Sequence, residues 1–358
     1  MKPPRLLLYC RAGFERECAQ EITAAAASMG VDGFVKARPD SAFAVFQAHQ
    51  EDMGAELGAH VEFARLIFPR QMVRVLEPLT LGEADRVTPI VAAAKQLGSS
   101  FSALWIEMPD TNDGKSLSTL TRPLAPHLER GLRKAGIDFE DAEAPQRLHV
   151  FFVGSLACYV GVCDVGNSSR WPMGIPRHRL PRQAPSRSTL KLAEAIDEFL
   201  DEKERAKRLV PGMTAVDLGA SPGGWTWQLV QRGLMVIAVD NGDIDQELLD
   251  SGQVKHRRDD GFHFTPVEPV DWMVCDMVES PSRIARLAAR WIAEGWCRES
   301  IFNLKLPMKK RWEEVERCRG IIDEALGGGG YYLRMRHLYH DREEITVYLA
   351  RRQKEALR

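Results

Sequence analysis

The sequence predicts an α/β protein whose C-terminal half is a doubly wound sheet and whose N-terminal half is a separate α+β region. Three observations carry this expectation. From Ala215 onward, short apolar strands alternate with helical segments, the pattern of a parallel sheet covered on both faces. The first of these strands runs into Asp217-Leu218-Gly219-Ala220-Ser221-Pro222-Gly223-Gly224, a glycine-rich turn where such sheets bind ligands. Upstream, Pro172, Pro176, Pro181 and Pro185 break helix while Arg170, Arg177, Arg179, Arg182 and Arg187 accumulate. A chain of 358 residues exceeds the usual size of one domain. We therefore expect domains at 1–165 and 186–358, joined by a basic, proline-rich linker at 166–185.

The elements follow in order. Leu6 to Tyr9 reads as a strand, Arg11 to Gly13 as a turn, and Glu15 to Ala27 as an alanine-rich helix. Mixed patterns lead to an apolar strand at Leu148 to Val153. Beyond the linker, strands are expected at Ala215–Leu218, Val236–Asp240, Trp272–Asp276 and Ser300–Lys305. Helices are expected at Trp225–Arg232, around Arg283 to Trp291, and at Glu313–Leu326, where the run Gly327 to Gly330 ends the last one. Tyr331–Leu338 and Ile345–Ala350 read as a closing antiparallel pair joined through His340-Asp341-Arg342-Glu343.

Composition narrows the class. With 44% hydrophobic and 27% charged residues, the chain can bury an ordinary core. A net charge of −2 argues against a polycation that coats nucleic acid indiscriminately, but leaves room for a local basic face. The seven cysteines show no CxxC pair and no zinc spacing, so no metal is expected and a reduced cytoplasm fits. Cys158 and Cys163 are expected to pack as small hydrophobes. The apolar run Leu6 to Cys10 is too short for a signal peptide core or a membrane span.

The turn discriminates between cofactors. Glycines let the backbone approach a ligand and permit positive φ. Asp240 closes the second strand, near the ~20-residue offset at which an acidic residue can meet ribose hydroxyls. A dinucleotide fingerprint needs glycine where Ser221 stands, so that pyrophosphate can come close. S-adenosylmethionine has no phosphate and tolerates Ser221 and Pro222. A purely structural tight turn is the plainer alternative, weakened by Asp240.

Asp217-Leu218-Gly219-x-x-Pro222-Gly223-Gly224-Trp225 resembles the first motif of the FtsJ-like ribose 2′-O-methyltransferases. The resemblance extends through Ala184 to Leu192, Trp272 to Met277, Phe302 to Lys310 and His340 to Glu344, and reaches the N-terminal Tyr9 to Glu15. The ordered set is most similar to the members that modify a cytidine ribose in bacterial 23S rRNA. That resemblance implies a Rossmann-like class I methyltransferase domain, a THUMP-containing RNA-binding N-terminal region, and 23S rRNA, as an assembly precursor, for partner. It implies cofactor contacts at Ser188, Ser221, Pro222, Gly223, Gly224, Asp240, Asp260 and Asp276. It also maps a Lys-Asp-Lys-Glu catalytic set onto Lys191, Asp276, Lys305 and Glu344.

Ribose methylation requires a poor nucleophile to lose its proton, and a positioned general base suffices. Lys305 is assigned as that base, with Lys191, Asp276 and Glu344 in support. A free lysine is protonated at neutral pH. Burial and the Lys191 charge would favour the neutral amine, while Asp276 and Glu344 oppose it. Lys309, Lys310, Arg311 and the linker arginines could neutralise RNA phosphates, although solvated charge is the plainer reading of each. Two other functions compete. A base methyltransferase would carry Asn/Asp-Pro-Pro-Tyr/Phe where Asp276-Met277-Val278-Glu279 stands, or use Cys275, which alternation turns into the core. A non-catalytic RNA-binding factor would not need four intact catalytic candidates. One cofactor domain and one RNA domain need no partner subunit, so a monomer is expected.

Overall fold

A computed structural model describes residues 3–352 and divides into two compact units, 1–176 and 177–358. The first unit opens with β1 (Arg5–Tyr9), α1 (Glu15–Ser28), β2 (Gly33–Ala37), β3 (Phe43–Ala48), α2 (Glu51–His60) and β4 (Gln71–Val75). It continues with β5 (Leu79–Thr80), α3 (Val87–Lys95), β6 (Leu104–Glu107), α4 (Asn112–Ser116), α5 (Ser118–Lys134), β7 (Gln146–Gly154) and β8 (Ala157–Asp164). One sheet runs β2-β3-β1-β4-β8-β7-β6, with β5 paired to β8. Leu148, Val150, Phe152, Val160 and Val162 alternate onto one face and pack against Ile90, Leu128 and Leu132 of the helices.

The residues expected to form the basic, proline-rich linker from 166 are bonded onto this unit as far as Met173. Asn167 Oδ1 accepts from the Phe63 amide at 2.8 Å, and its Nδ2 donates to the Val61 carbonyl at 2.8 Å. The Met173 amide donates to Glu107. Proline content excluded α-helix here, but side-chain to backbone bonds and two short 3-10 turns still fix the path. Cys163 also departs from the small-hydrophobe expectation, which Cys158 meets in the core. His149 bridges Glu107 at 2.8 Å and the Cys163 sulfur at 3.0 Å, all three buried. Burial opposes the imidazolium, but Glu107 and Cys163 together outweigh it and carry His149 to about 9. Burial likewise raises the Cys163 thiol, yet His149, a hydrogen bond from Ser168 and the Arg147 charge together hold it below its ordinary value.

The second unit holds α6 (Thr189–Phe199), α7 (Glu202–Arg208), β9 (Thr214–Leu218), α8 (Gly224–Val230), β10 (Met235–Val239), α9 (Gln246–Asp250) and β11 (Val254–Arg257). After these come β12 (Val270–Cys275), α10 (Pro281–Ala293), β13 (Cys297–Lys305), α11 (Arg311–Ala325), β14 (Tyr331–Arg336) and β15 (Glu344–Arg351). The sheet order is β11-β10-β9-β12-β13-β15-β14. The first five strands in that order are parallel, and β15 inserts antiparallel between β13 and β14. The order reverses between β9 and β12, so a crevice opens where their C-terminal ends part. Trp272, Val274, Ile301 and Ala215 build the core on one face against Leu192, Ile196 and Trp225. Among the described residues, no helix is long and apolar enough to cross a membrane.

Candidate active site

The turn after β9 is shaped by steric necessity. Gly219 has φ 77°, and a Cβ there would lie 2.5 Å from the Met277 side chain. A Cβ on Gly224 would meet the hydroxyls of Ser188 and Ser186, so only glycine lets α8 start against the segment before α6. Asp217, the last but one residue of β9, is fully buried and accepts from Thr226 Oγ1 at 2.7 Å. Burial pushes its carboxyl up to about 7, with Asp276 and Asp240 adding to the rise against the Thr226 bond. Asp217 therefore ties β9 to α8.

Asp240 faces this turn from the end of β10. Its Oδ2 accepts from the Ser221 amide at 3.0 Å and its Oδ1 from the Gly242 amide at 2.7 Å. A cavity of about 460 Å³ lies here, lined among others by Ser221, Asp240, Asp260, Phe262, Asp276 and Met277. That volume falls within the ~300–1,000 Å³ typical of cofactor sites. Asp260 caps its own turn by accepting from the Phe262 amide at 2.8 Å, and lies 3.2 Å from His263. Of the eight expected cofactor contacts, Ser221, Asp240, Asp260 and Asp276 share this cavity. Ser188, Pro222, Gly223 and Gly224 do not line it. Ser188 bonds Ser186 Oγ at 2.6 Å and accepts from Trp225 Nε1 at its carbonyl, while Gly223, at φ 117°, abuts Leu248.

The four expected catalytic residues converge at the neighbouring mouth of the sheet. Lys191 comes from the first turn of α6, Asp276 follows β12, Lys305 ends β13 and Glu344 begins β15. Lys305 and Glu344 are register partners across β13 and β15. Lys305 Nζ donates to Asp276 Oδ1 at 2.5 Å and to Glu344 Oε2. Lys191 Nζ lies 3.3 Å from Asp276 Oδ2 and also pairs with Glu344 Oε1. Each lysine thus bridges the same two carboxylates, and the four charges cancel.

The opposing influences on Lys305 resolve in one direction. Burial favours the free amine, but Asp276 and Glu344 together outweigh it and hold Lys305 above the usual lysine range. The expected repulsion by Lys191 does not prevail, because both carboxylates stand between the two ammonium groups. This arrangement favours the ammonium form of Lys305.

The structure also separates the basic residues. Lys309 and Lys310 are exposed, as are Arg177, Arg179, Arg182 and Arg187, whereas Arg311 pairs with Glu343 at 2.5 Å. Cys275 is buried, and burial pushes its thiol up to about 12, which leaves it unsuited to nucleophilic carbon methylation. Among the described residues, no cluster of His, Cys, Asp or Glu could hold a metal ion. One participant escaped sequence reasoning: Asn303 Nδ2 donates to Asp276 Oδ1 at 2.9 Å. Its signal was strand alternation, which places it two residues before Lys305 on the same face.

Comparison with known proteins matches the same regions. An RlmM ferredoxin-like domain model covers residues 3–73, and a model of the N-terminal region of ribosomal RNA large subunit methyltransferase M covers 85–164. An FtsJ-like methyltransferase model covers 184–293. These descriptions stand where the resemblance implied a THUMP region. Ribosomal RNA large subunit methyltransferase M of Methylococcus capsulatus is 53% identical over 352 residues, spanning 97% of this chain and 98% of the relative. The proteins of that name from Erwinia tasmaniensis and Aromatoleum aromaticum are 50% and 49% identical, each spanning 97% of this chain and 96% and 95% of the relatives.

Proposed function

The chain belongs to the ribosomal RNA large subunit methyltransferase M family, and from that premise we propose that it methylates the ribose 2′-hydroxyl of a cytidine in 23S rRNA. Membership makes it an S-adenosylmethionine-dependent rRNA methyltransferase. The observation that carries the finer reading is the meeting of Lys191, Asp276, Lys305 and Glu344 beside a cavity that Asp276 also lines.

S-adenosylmethionine supplies an electrophilic methyl group. Ser221, Asp240 and Asp260 would hold the cofactor, with Asp276 facing both it and the lysines. Ser188, Pro222, Gly223 and Gly224 would contribute by fixing the turn rather than by lining the cavity. The chemistry left to the chain is to orient the ribose hydroxyl and accept its proton. Lys305 is the assigned acceptor, and it can act only after its own proton has left. Asp276 and Glu344 keep its nitrogen in place, and Lys191 offsets part of their charge once Lys305 is neutral. The exposed arginines at 177, 179, 182 and 187 and Lys309 and Lys310 would pair with RNA phosphates. Residues 1–176 take the THUMP-type task of positioning RNA, 177–185 connect, and 186–358 carry the chemistry. The protein works in the cytoplasm as a monomer, and light scattering at low micromolar concentration checks the latter.

Mass spectrometry of nuclease-digested 23S rRNA from cells with and without the gene tests the assignment. Loss of a single 2′-O-methylcytidine is expected. Loss of a base methylation instead would overturn the ribose reading.

A further inference from the structure

Beneath the four charged residues lies a second polar layer. Across β13 and β15, Lys305 stands opposite Glu344 and Asn303 opposite Thr346. Because side chains alternate, Asn303 shares a face with Lys305 and Thr346 with Glu344, one step deeper in the sheet. Asn303, Thr346 and Asp341 are all fully buried.

Counting protons orders this layer. Asn303 Nδ2 donates to Asp276 Oδ1 at 2.9 Å; the reverse amide orientation would set an oxygen against the carboxylate. Asn303 Oδ1 therefore faces Thr346 Oγ1 at 2.8 Å, and an amide oxygen can only accept. The single hydroxyl hydrogen of Thr346 is committed to Asn303. Yet Thr346 Oγ1 also lies 3.1 Å and 3.0 Å from the two Asp341 carboxyl oxygens, and with its own hydrogen on Asn303 that contact is a hydrogen bond only if Asp341 supplies the hydrogen.

We propose that Asp341 is a neutral carboxylic acid heading a one-way hydrogen-bond chain through Thr346 and Asn303 to Asp276, which makes these three positioning residues for methyl transfer. Asp341 Oδ2 accepts from the Leu338 amide at 3.0 Å, and the proposed proton lies on Oδ1, 3.1 Å from Thr346 Oγ1. Burial raises the Asp341 carboxyl well above its usual range, and Glu344 and Glu194 raise it further against the Leu338 bond and Lys191. An anionic Asp341 would draw the Thr346 hydrogen to itself and leave two acceptors facing each other at Asn303. In the neutral form the chain gives Asp276 a fixed donor besides the two lysines. The carboxylate plane is thereby set before RNA arrives.

The purpose of the chain rests on the catalytic reading above; the protonation of Asp341 does not. Infrared difference spectra of the full-length protein test the latter. Asp341→Asn should lose the carbonyl band of a protonated carboxyl that shifts in heavy water, and Asp217→Asn identifies any overlapping band from Asp217. A spectrum unchanged by Asp341→Asn overturns the proposal. Single-turnover methyl transfer to 23S rRNA tests the positioning role. Thr346→Val should slow it ~10–100-fold, the usual effect of disrupting an outer hydrogen-bond partner. Binding of S-adenosylhomocysteine should persist, and Thr346→Ser should restore the rate. Asp341→Asn retains a donor for Thr346 and an acceptor for Leu338, so it should recover most of the rate lost in Asp341→Ala. Equal loss in both Asp341 variants, or a native rate in Thr346→Val, overturns the chain. If Thr346→Val does not fold, the Asp341 pair and the infrared band still decide. If the native protein transfers no methyl group to rRNA, the catalytic reading fails and the band alone decides the proton.

Discussion

Replacing Lys305 with alanine should separate chemistry from cofactor binding. The substitution removes the proton acceptor but leaves the turn at 219–224, Asp240 and Asp260 intact. Asp276 would keep its bond from Asn303 at 2.9 Å and its approach from Lys191 at 3.3 Å, so the cavity wall should hold. Affinity for S-adenosylhomocysteine should then change by less than about threefold, ~0.7 kcal/mol. Lys305 is only 23% exposed, and its removal leaves two carboxylates sharing one lysine. Lys191 still pairs with both, so the stability cost should fall at or below the ~3 kcal/mol lower end for breaking a buried pair. The rate of single-turnover methyl transfer to 23S rRNA should drop by ~10²-fold or more, as for loss of a general base. That corresponds to ~2.7 kcal/mol of barrier. The native enzyme supplies the companion test. With Lys305 held above the usual lysine range, its neutral fraction at pH 7 is small and grows about tenfold per pH unit. The single-turnover rate should therefore climb with pH from 7 to 9, and Lys305→Ala should lose that slope. A native rate in the variant, or a flat native profile, would refute the general-base role and leave Lys305 as a fixed cation.

Three further outcomes follow from the geometry. Asp240→Ala removes the acceptor for the Ser221 and Gly242 amides, so cofactor binding should weaken at least ~tenfold by calorimetry, with much of the rate recovered at saturating S-adenosylmethionine; unchanged affinity would remove Asp240 from the site. A fragment of residues 177–358 contains the whole cavity and catalytic set and should bind S-adenosylmethionine while methylating rRNA poorly, whereas full activity would deny residues 1–176 a role in positioning RNA. His149 is raised from 6.5 to about 9, so its contribution is complete below 6.5 and lost as pH rises through 9; thermal unfolding of the N-terminal unit should fall over that window, and His149→Gln should flatten the fall.

Periodicity and turn chemistry alone placed most strands of the C-terminal sheet, but not β11 or the strand order. Strands at Thr214–Leu218, Met235–Val239, Val270–Cys275 and Cys297–Lys305 lie within a few residues of their expected positions, because buried parallel strands read as uninterrupted apolar runs. The turn at 217–224 was legible because steric closeness at Gly219 and Gly224 admits no other residue. Sequence motifs also named Lys191, Asp276, Lys305 and Glu344, but not which charge would dominate. That depends on distances among side chains lying far apart in the chain, and only the folded sheet sets both carboxylates between the two lysines. The path of 166–176 was hidden for a similar reason: composition excludes α-helix without revealing that Asn167 and Met173 find partners in the first unit. Asn303, Thr346 and Asp341 look like ordinary polar residues in a strand and a hairpin. Their meaning comes from burial, where each hydrogen must be assigned to one acceptor, and burial of polar groups is a property of the fold rather than of the local sequence.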